Sequence, residues 1–133
     1  MRRFPPGTVL LPGQTLVVAT SATAFQLEYG FAPDFEIVDT ELQVPDLIDD
    51  PNWGDPNALL QLGNMGDEVI LRNANDTAVD VLTYGTGSFP GNIACPLITT
   101  PSTSLERFPY WRDSNDCTAD FRPWPFPNPG VLP

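Results

Sequence analysis

LGNMGDEVILRNANDTAVDVLTYG, residues 62–85, decides how this chain is read. Gly63, Asn64, Gly66 and Asp67 form a breaker cluster that opens a strand. Residues 68–72 then alternate, with Val69 and Leu71 on one face and Glu68 and Arg72 on the other. Asn73, Asn75 and Asp76 supply the turn, because their short side chains bond nearby backbone and tolerate positive φ. Residues 79–84 return as the second strand. The stretch therefore predicts a β-hairpin with a glycine-rich opening and a polar tip.

Composition agrees with a β-rich body. The chain has 133 residues, enough for one domain, and 41% hydrophobic content can fill one core. Sixteen prolines and ten glycines suit short strands joined by punctuated loops and oppose a helical fold. Seventeen acidic residues face six arginines, with no lysine and no histidine, giving a net charge of −11. Such a charge repels phosphate backbones, and only Arg2 and Arg3 are adjacent among the arginines, so no nucleic-acid role is expected. No apolar run approaches the roughly 20 residues of a membrane helix, so a soluble chain is expected. Met1-Arg2-Arg3 followed by Phe4-Pro5-Pro6-Gly7 has no continuous apolar region behind it and does not read as a signal peptide.

Along the rest of the chain, residues 8–11 read as a short strand between the Pro5-Pro6-Gly7 and Pro12-Gly13 turns. Residues 15–20 (TLVVAT) read as a β-branched strand buried on both faces. Thr23-Ala24-Phe25-Gln26 has capping-box spacing, and Gly30 can close a helix of roughly two turns. Residues 31–61 read as an irregular acidic loop broken by Pro33, Pro45, Pro51 and Pro56, with Leu42, Val44, Leu47 and Ile48 as anchors and Trp53 over an edge. Residues 104–108 and 121–124 read as the last strands, 113–120 as a polar loop, and 123–133 as a proline-rich tail.

These pieces, in order, resemble the lamin-tail (intermediate filament tail) domain of bacterial type. Phe4-Pro5-Pro6-Gly7-Thr8 with Pro12-Gly13 and Leu16-Val17-Val18 are similar to its two consecutive strands. Phe25 with Tyr29-Gly30 is similar to its short helix. Gly63-Asn64, Gly66-Asp67-Glu68-Val69, Leu71, Val79-Asp80 and Ser104-Leu105-Glu106-Arg107 follow its hairpin and later strand. Asp113-Ser114-Asn115-Asp116, Asp120-Phe121 and Pro127-Asn128-Pro129-Gly130 follow its ending. The resemblance implies a single immunoglobulin-like β-sandwich over residues 1–133, one that connects things rather than catalysing. The family's opening strands are missing before Phe4. The expectation is an N-terminally truncated sandwich whose open edge is hidden in an oligomer, by self-association or by strands from another chain.

Candidate chemistry is sparse. Without histidine or lysine, Ser-His-Asp, Cys-His and Schiff-base arrangements are impossible within this chain, and no acidic pair sits in a glycosidase motif. No enzyme is expected, and no catalytic or cofactor-binding residue is assigned. Cys95 and Cys117 lack a C-x-x-C partner or histidine, which opposes a zinc site. They are either free buried thiols or one disulfide, and a staple suits their loop-rich surroundings better. A disulfide would place the chain outside the cytoplasm or at the cell surface. Asp113, Asn115, Asp116 and Asp120 form the one calcium candidate, set against an Asx-turn network bonding its own backbone. Trp53, Tyr110 with Trp111, and Trp124 with Phe126 invite carbohydrate stacking, set against core packing. Arg107 is expected to meet Asp80 across strands rather than its neighbour Glu106. The function expected is a structural or protein-interaction module of an extracellular bacterial protein. The alternatives are a polymer-binding accessory to a hydrolase or nuclease and a calcium-stabilised adhesion module.

Overall fold

The computed structural model describes residues 1–50, 52 and 60–132. These are mostly strands in small sheets with little helix, as an all-β reading requires, and each of the four sheets has two strands. The chain divides into two compact units, Met1–Gln61 with Pro129–Val131, and Leu62–Asn128 with Leu132–Pro133.

The first unit contains β1 (Arg2–Arg3), β2 (Val18–Ala19), α1 (Ala22–Tyr29), β3 (Phe35–Glu36) and β4 (Ile48–Asp49). β1 pairs antiparallel with β4, and β2 pairs parallel with β3 across α1. A parallel pair needs a crossover, and the helix supplies it. Ser21, two residues before the expected cap, accepts from the Ala24 N–H, and Gly30 closes the helix at φ 78°. Thr23 instead lies in the first turn and donates its hydroxyl to the Thr40 carbonyl at 3.1 Å.

Two strand expectations fail in this unit. The Pro6-Gly7 and Pro12-Gly13 turns form, but residues 8–11 between them pair with no strand, and Val9, Leu10 and Leu11 stay exposed. Residues 15–20 contribute only β2, and Val18 is exposed rather than buried on both faces. The segment 31–61 carries β3 and β4 and is therefore less irregular than expected. Val44 and Leu47 anchor it, whereas Leu42 and Ile48 face solvent. Pro51, Trp53 and Pro56 lie outside the described residues.

The second unit contains β5 (Gly66–Arg72), β6 (Ala78–Gly85), β7 (Ser104–Arg107), α2 (Cys117–Asp120) and β8 (Phe121–Trp124). β5 and β6 form the expected antiparallel hairpin, with a register shift between Leu71 and Arg72. Asn73 Oδ1 accepts from the N–H groups of Asn75 (2.9 Å) and Thr77 (3.1 Å), and Asp76 takes φ 60°, so the tip is an Asx turn. Gly66 and Gly85 face each other at the open end. A Cβ on Gly66 would lie 2.1 Å from the Thr86 nitrogen, so the breaker cluster is a backbone crossing that only glycine fits. β7 and β8 pair antiparallel, and a short helix replaces the end of the expected polar loop.

Cys95 and Cys117 are joined by a disulfide across 22 residues. Both are buried, and they are the buried hydrophobic residues of this unit. The bridge lies between two backbone ties. Cys95 donates to Thr83 O at 2.9 Å, and Cys117 donates to Ile93 O at 2.9 Å. Covalent sulfur, rather than a mass of aliphatic side chains, forms the centre here.

Candidate functional site: an open strand edge beside an apolar trough

The outer border of β6 is covered. Cys95 bridges Tyr84 in parallel, and the Asn92 side-chain amide donates to Val81 O at 3.0 Å. The outer border of β5 has no neighbouring strand among the described residues. Two of its backbone donors are taken within the chain, Gly66 N–H by Gly63 O at 3.3 Å and Glu68 N–H by Asp67 Oδ1 at 2.9 Å. The donors and acceptors that remain on an uncovered border are a template for another extended segment.

One face of this hairpin adjoins an uncharged trough. Val69 lies opposite Leu82, and Asp67 lies opposite Tyr84, so these four share a face. Val69, Leu82 and Tyr84 line a groove of about 390 Å³ with Leu62, Leu97 and Leu105. Leu97 and Leu105 also line a second groove of about 340 Å³, which reaches Cys95, Phe121 and Pro123. Val69 and Leu71 are each 43% exposed, so the face predicted from alternation is only half covered. Tyr84 donates its hydroxyl to Gly63 O at 2.8 Å. Burial pushes the Tyr84 phenol up, and the Asp67 charge adds to that.

Comparison with known proteins returns no match. Neither a family model, nor a curated protein, nor a solved structure is similar to this chain. What the site can do must come from its own geometry.

Arg107 carries the clearest confirmed contact. Its guanidinium donates to both Asp80 oxygens at 2.8 Å and to the Arg112 carbonyl at 2.7 Å, and it lies over the Phe121 ring. Glu106 pairs instead with Arg122 at 2.9 Å. Alternation along β7 sends these adjacent side chains to opposite faces.

The polar loop 113–120 uses its oxygens internally. Asp116 Oδ1 accepts from the Thr118 N–H at 2.9 Å and from the Thr118 hydroxyl at 2.7 Å, capping α2. Asp120 accepts from the Ser114 N–H (2.6 Å) and hydroxyl (2.8 Å) and meets Arg112 at 3.1 Å. Asp113 accepts from the Asn115 N–H at 3.3 Å, and Asn115 takes φ 59°. The carboxylates of Asp113, Asp116 and Asp120 do not converge. Among the described residues, the acidic oxygens close enough to share a cation are those of Glu36, Asp39 and Asp46, within 4.8 Å of one another.

The aromatics are mostly at the surface. Trp111 is 72% exposed and meets Tyr110 edge-on at 5.0 Å. Arg122 lies 3.6 Å from the Phe108 ring centroid and 4.7 Å from that of Trp124, so its guanidinium occupies faces a sugar would need. Phe126 is exposed beside Trp124, and Trp53 lies outside the described residues.

Three buried carboxylates organise the loops, and two of them, Glu36 and Asp50, were not anticipated. Glu36 accepts from the Ala22 N–H at 2.8 Å, the Thr40 N–H and hydroxyl, and the Glu41 N–H at 2.8 Å. Burial alone would raise its pKa, but these hydrogen bonds outweigh burial and hold it below the usual range. Asp50 is held low first by its 2.6 Å bond from Arg3. Burial opposes at Asp120 too, and the Ser114 donors with Arg112 and Arg107 overcome it. Asp46 moves the other way, pushed up by desolvation and then by the Asp39 and Glu36 charges. The available signal was an acid flanked by apolar residues, as in Phe35-Glu36-Ile37, where solvent exposure is not the default.

Proposed function

We propose that this chain is a lamin-tail-like, immunoglobulin-like β-sandwich module that joins proteins together without catalysing a reaction. Its partner is another protein chain, which adds an extended segment to the border of β5. The observation that carries this reading is that uncovered border lying beside an uncharged trough. Main-chain hydrogen bonds at the border would give affinity, and trough contacts to alternate side chains would give selectivity. The Cys95–Cys117 disulfide is compatible with an extracellular or surface-associated role in a bacterial protein. No helix among the described residues is long and apolar enough to cross a membrane.

Amide hydrogen exchange tests the proposal. Residues 67, 69 and 71 turn their amides toward β6, so protection of the outward Ile70 amide should rise with chain concentration or on adding strand-forming peptides. It should fail to rise when Val69 and Leu71 are both replaced by lysine. No gain under either condition overturns the reading.

The exposed Tyr110–Trp111 pair favours a second reading, a carbohydrate or polymer contact. Trp111→Ala should then abolish glycan retention, while Trp124→Ala, whose ring is covered by Arg122, should leave it intact. Loss in neither variant removes this reading.

A further inference from the structure

We infer that the occupant of the β5 border is a cationic extended segment with apolar side chains at alternate positions, not a second copy of this chain. The inference rests on the open-border reading above and adds the partner's chemistry. It follows from three sets of observations about shape, charge and the arginines.

The first set is the wall. Val69, Leu82, Leu62, Leu97, Ile98 and Leu105 line a trough with no ionisable group except the Tyr84 phenol. Val69 and Leu71 lie on one face of β5 and are both half exposed. A strand laid along β5 sets every second side chain on that face, beside Val69 and Leu71. Apolar residues at alternate positions fit there. Charged ones would lose their hydration without a partner.

The second set is the charge beside the wall. Asp67 and Glu68 stand at one end of β5, and neither is paired with an arginine. Asp67 Oδ2 accepts from the Gly63 N–H at 2.9 Å, and Glu68 Oε1 accepts from the Ser88 N–H at 2.6 Å. A partner with lysine or arginine at its ends would meet these carboxylates across the new strand pair.

The third set rules against self-pairing. Every arginine is already engaged within its own unit. Arg2 meets Asp49, Arg3 meets Asp50, Arg107 meets Asp80, Arg112 meets Asp120 and Arg122 meets Glu106. Arg72 donates to Asp76 O at 2.7 Å. A second copy therefore brings no lysine, no uncommitted guanidinium and its own charge of −11 against an equal charge. Like charges facing each other across a border oppose pairing.

The test uses the full chain and three synthetic peptides of about eight residues. The first has valine at alternate positions, threonine between them and lysine at both ends. The second replaces the lysines by glutamates, and the third scrambles the first. The lysine-ended peptide should bind at least about ten-fold more tightly than either control at about 50 mM salt, and its lead over the glutamate peptide should shrink near 0.5 M. Val69→Gln, at a half-exposed position, should weaken that binding about ten-fold by removing the apolar wall. Equal binding of the lysine and glutamate peptides would overturn the cationic partner and leave the open-border reading standing. A dimer that forms with rising concentration, dissolves in V69Q and resists the peptides would also overturn it, with a second copy as occupant. If no peptide binds and the chain stays monomeric, both readings fall.

Discussion

Thr83 sits on β6 with its hydroxyl buried, and that oxygen has no hydrogen-bond partner. A buried orphan hydroxyl pays its desolvation without return, so Thr83→Val, of nearly the same shape, should stabilise the chain by about 1 kcal/mol in chemical denaturation. Glu36 is the opposite case. It accepts from the Ala22 N–H and from three donors of residues 40 and 41, tying the start of α1 to β3. Glu36→Gln keeps the size but replaces an accepting oxygen by a donor, and should cost about 2 kcal/mol by the same measurement. The carboxyls of Glu36, Asp50 and Asp120 are all held low in the native state. Their stabilisation is complete above the ordinary carboxylate range near about pH 4 and is lost as pH falls through their native values. Asp46, held high, contributes with the opposite sign. What it adds is present below that range and is lost as pH rises through its native value. Three groups outweigh one, so the melting temperature should fall steeply below about pH 4. A flat profile down to about pH 2 would contradict this balance.

At the scale of elements, the disulfide ties Cys95, which bridges β6, to the first residue of α2. Closing a loop with a separation of 22 residues restricts the unfolded chain, so reduction should cost about 3 kcal/mol. The hairpin of β5 and β6 was legible because seven and eight residues are long enough for period two to show. Its glycines marked a backbone crossing, and Asp80 and Arg107 fell at strand positions where a cross-strand pair could be anticipated. β1, β3 and β4 were not legible, because each holds two residues and cannot display alternation, and β2 was caught only inside the longer strand read over residues 15–20. Their pairing depends on distant partners such as Arg2 with Asp49, which local pattern does not encode. The helix was visible through Gly30, but its start was misplaced, because Thr23 has the same capping chemistry as Ser21 and nothing local separates them. The calcium candidates failed to converge for a related reason. Asp116 and Asp120 satisfy backbone groups of their own turn, and a list of acids does not distinguish that use from metal binding.

At the scale of the whole molecule, the chain divides into two compact units, and the sulfur bridge belongs to the second. Heating should show two transitions, with reductant lowering only one of them. A single transition that moves as a whole would show that the units unfold together. The open border, the trough and the Tyr110–Trp111 pair also belong to the second unit; the hairpin that the sequence made most visible carries the border and one wall of the trough, and residues outside it supply the rest.

The path of the chain has one more consequence. Pro129–Val131 belongs to the first unit although it follows the second, and the Thr15 hydroxyl donates to the Gly130 carbonyl at 2.8 Å. That contact is a shunt for tension. When both ends of the chain are pulled, load crosses from residue 15 to residue 130 and bypasses the hairpins between them until the clasp gives way. Under such a pull the chain yields first at this fastening and only afterwards strains the strands it shields.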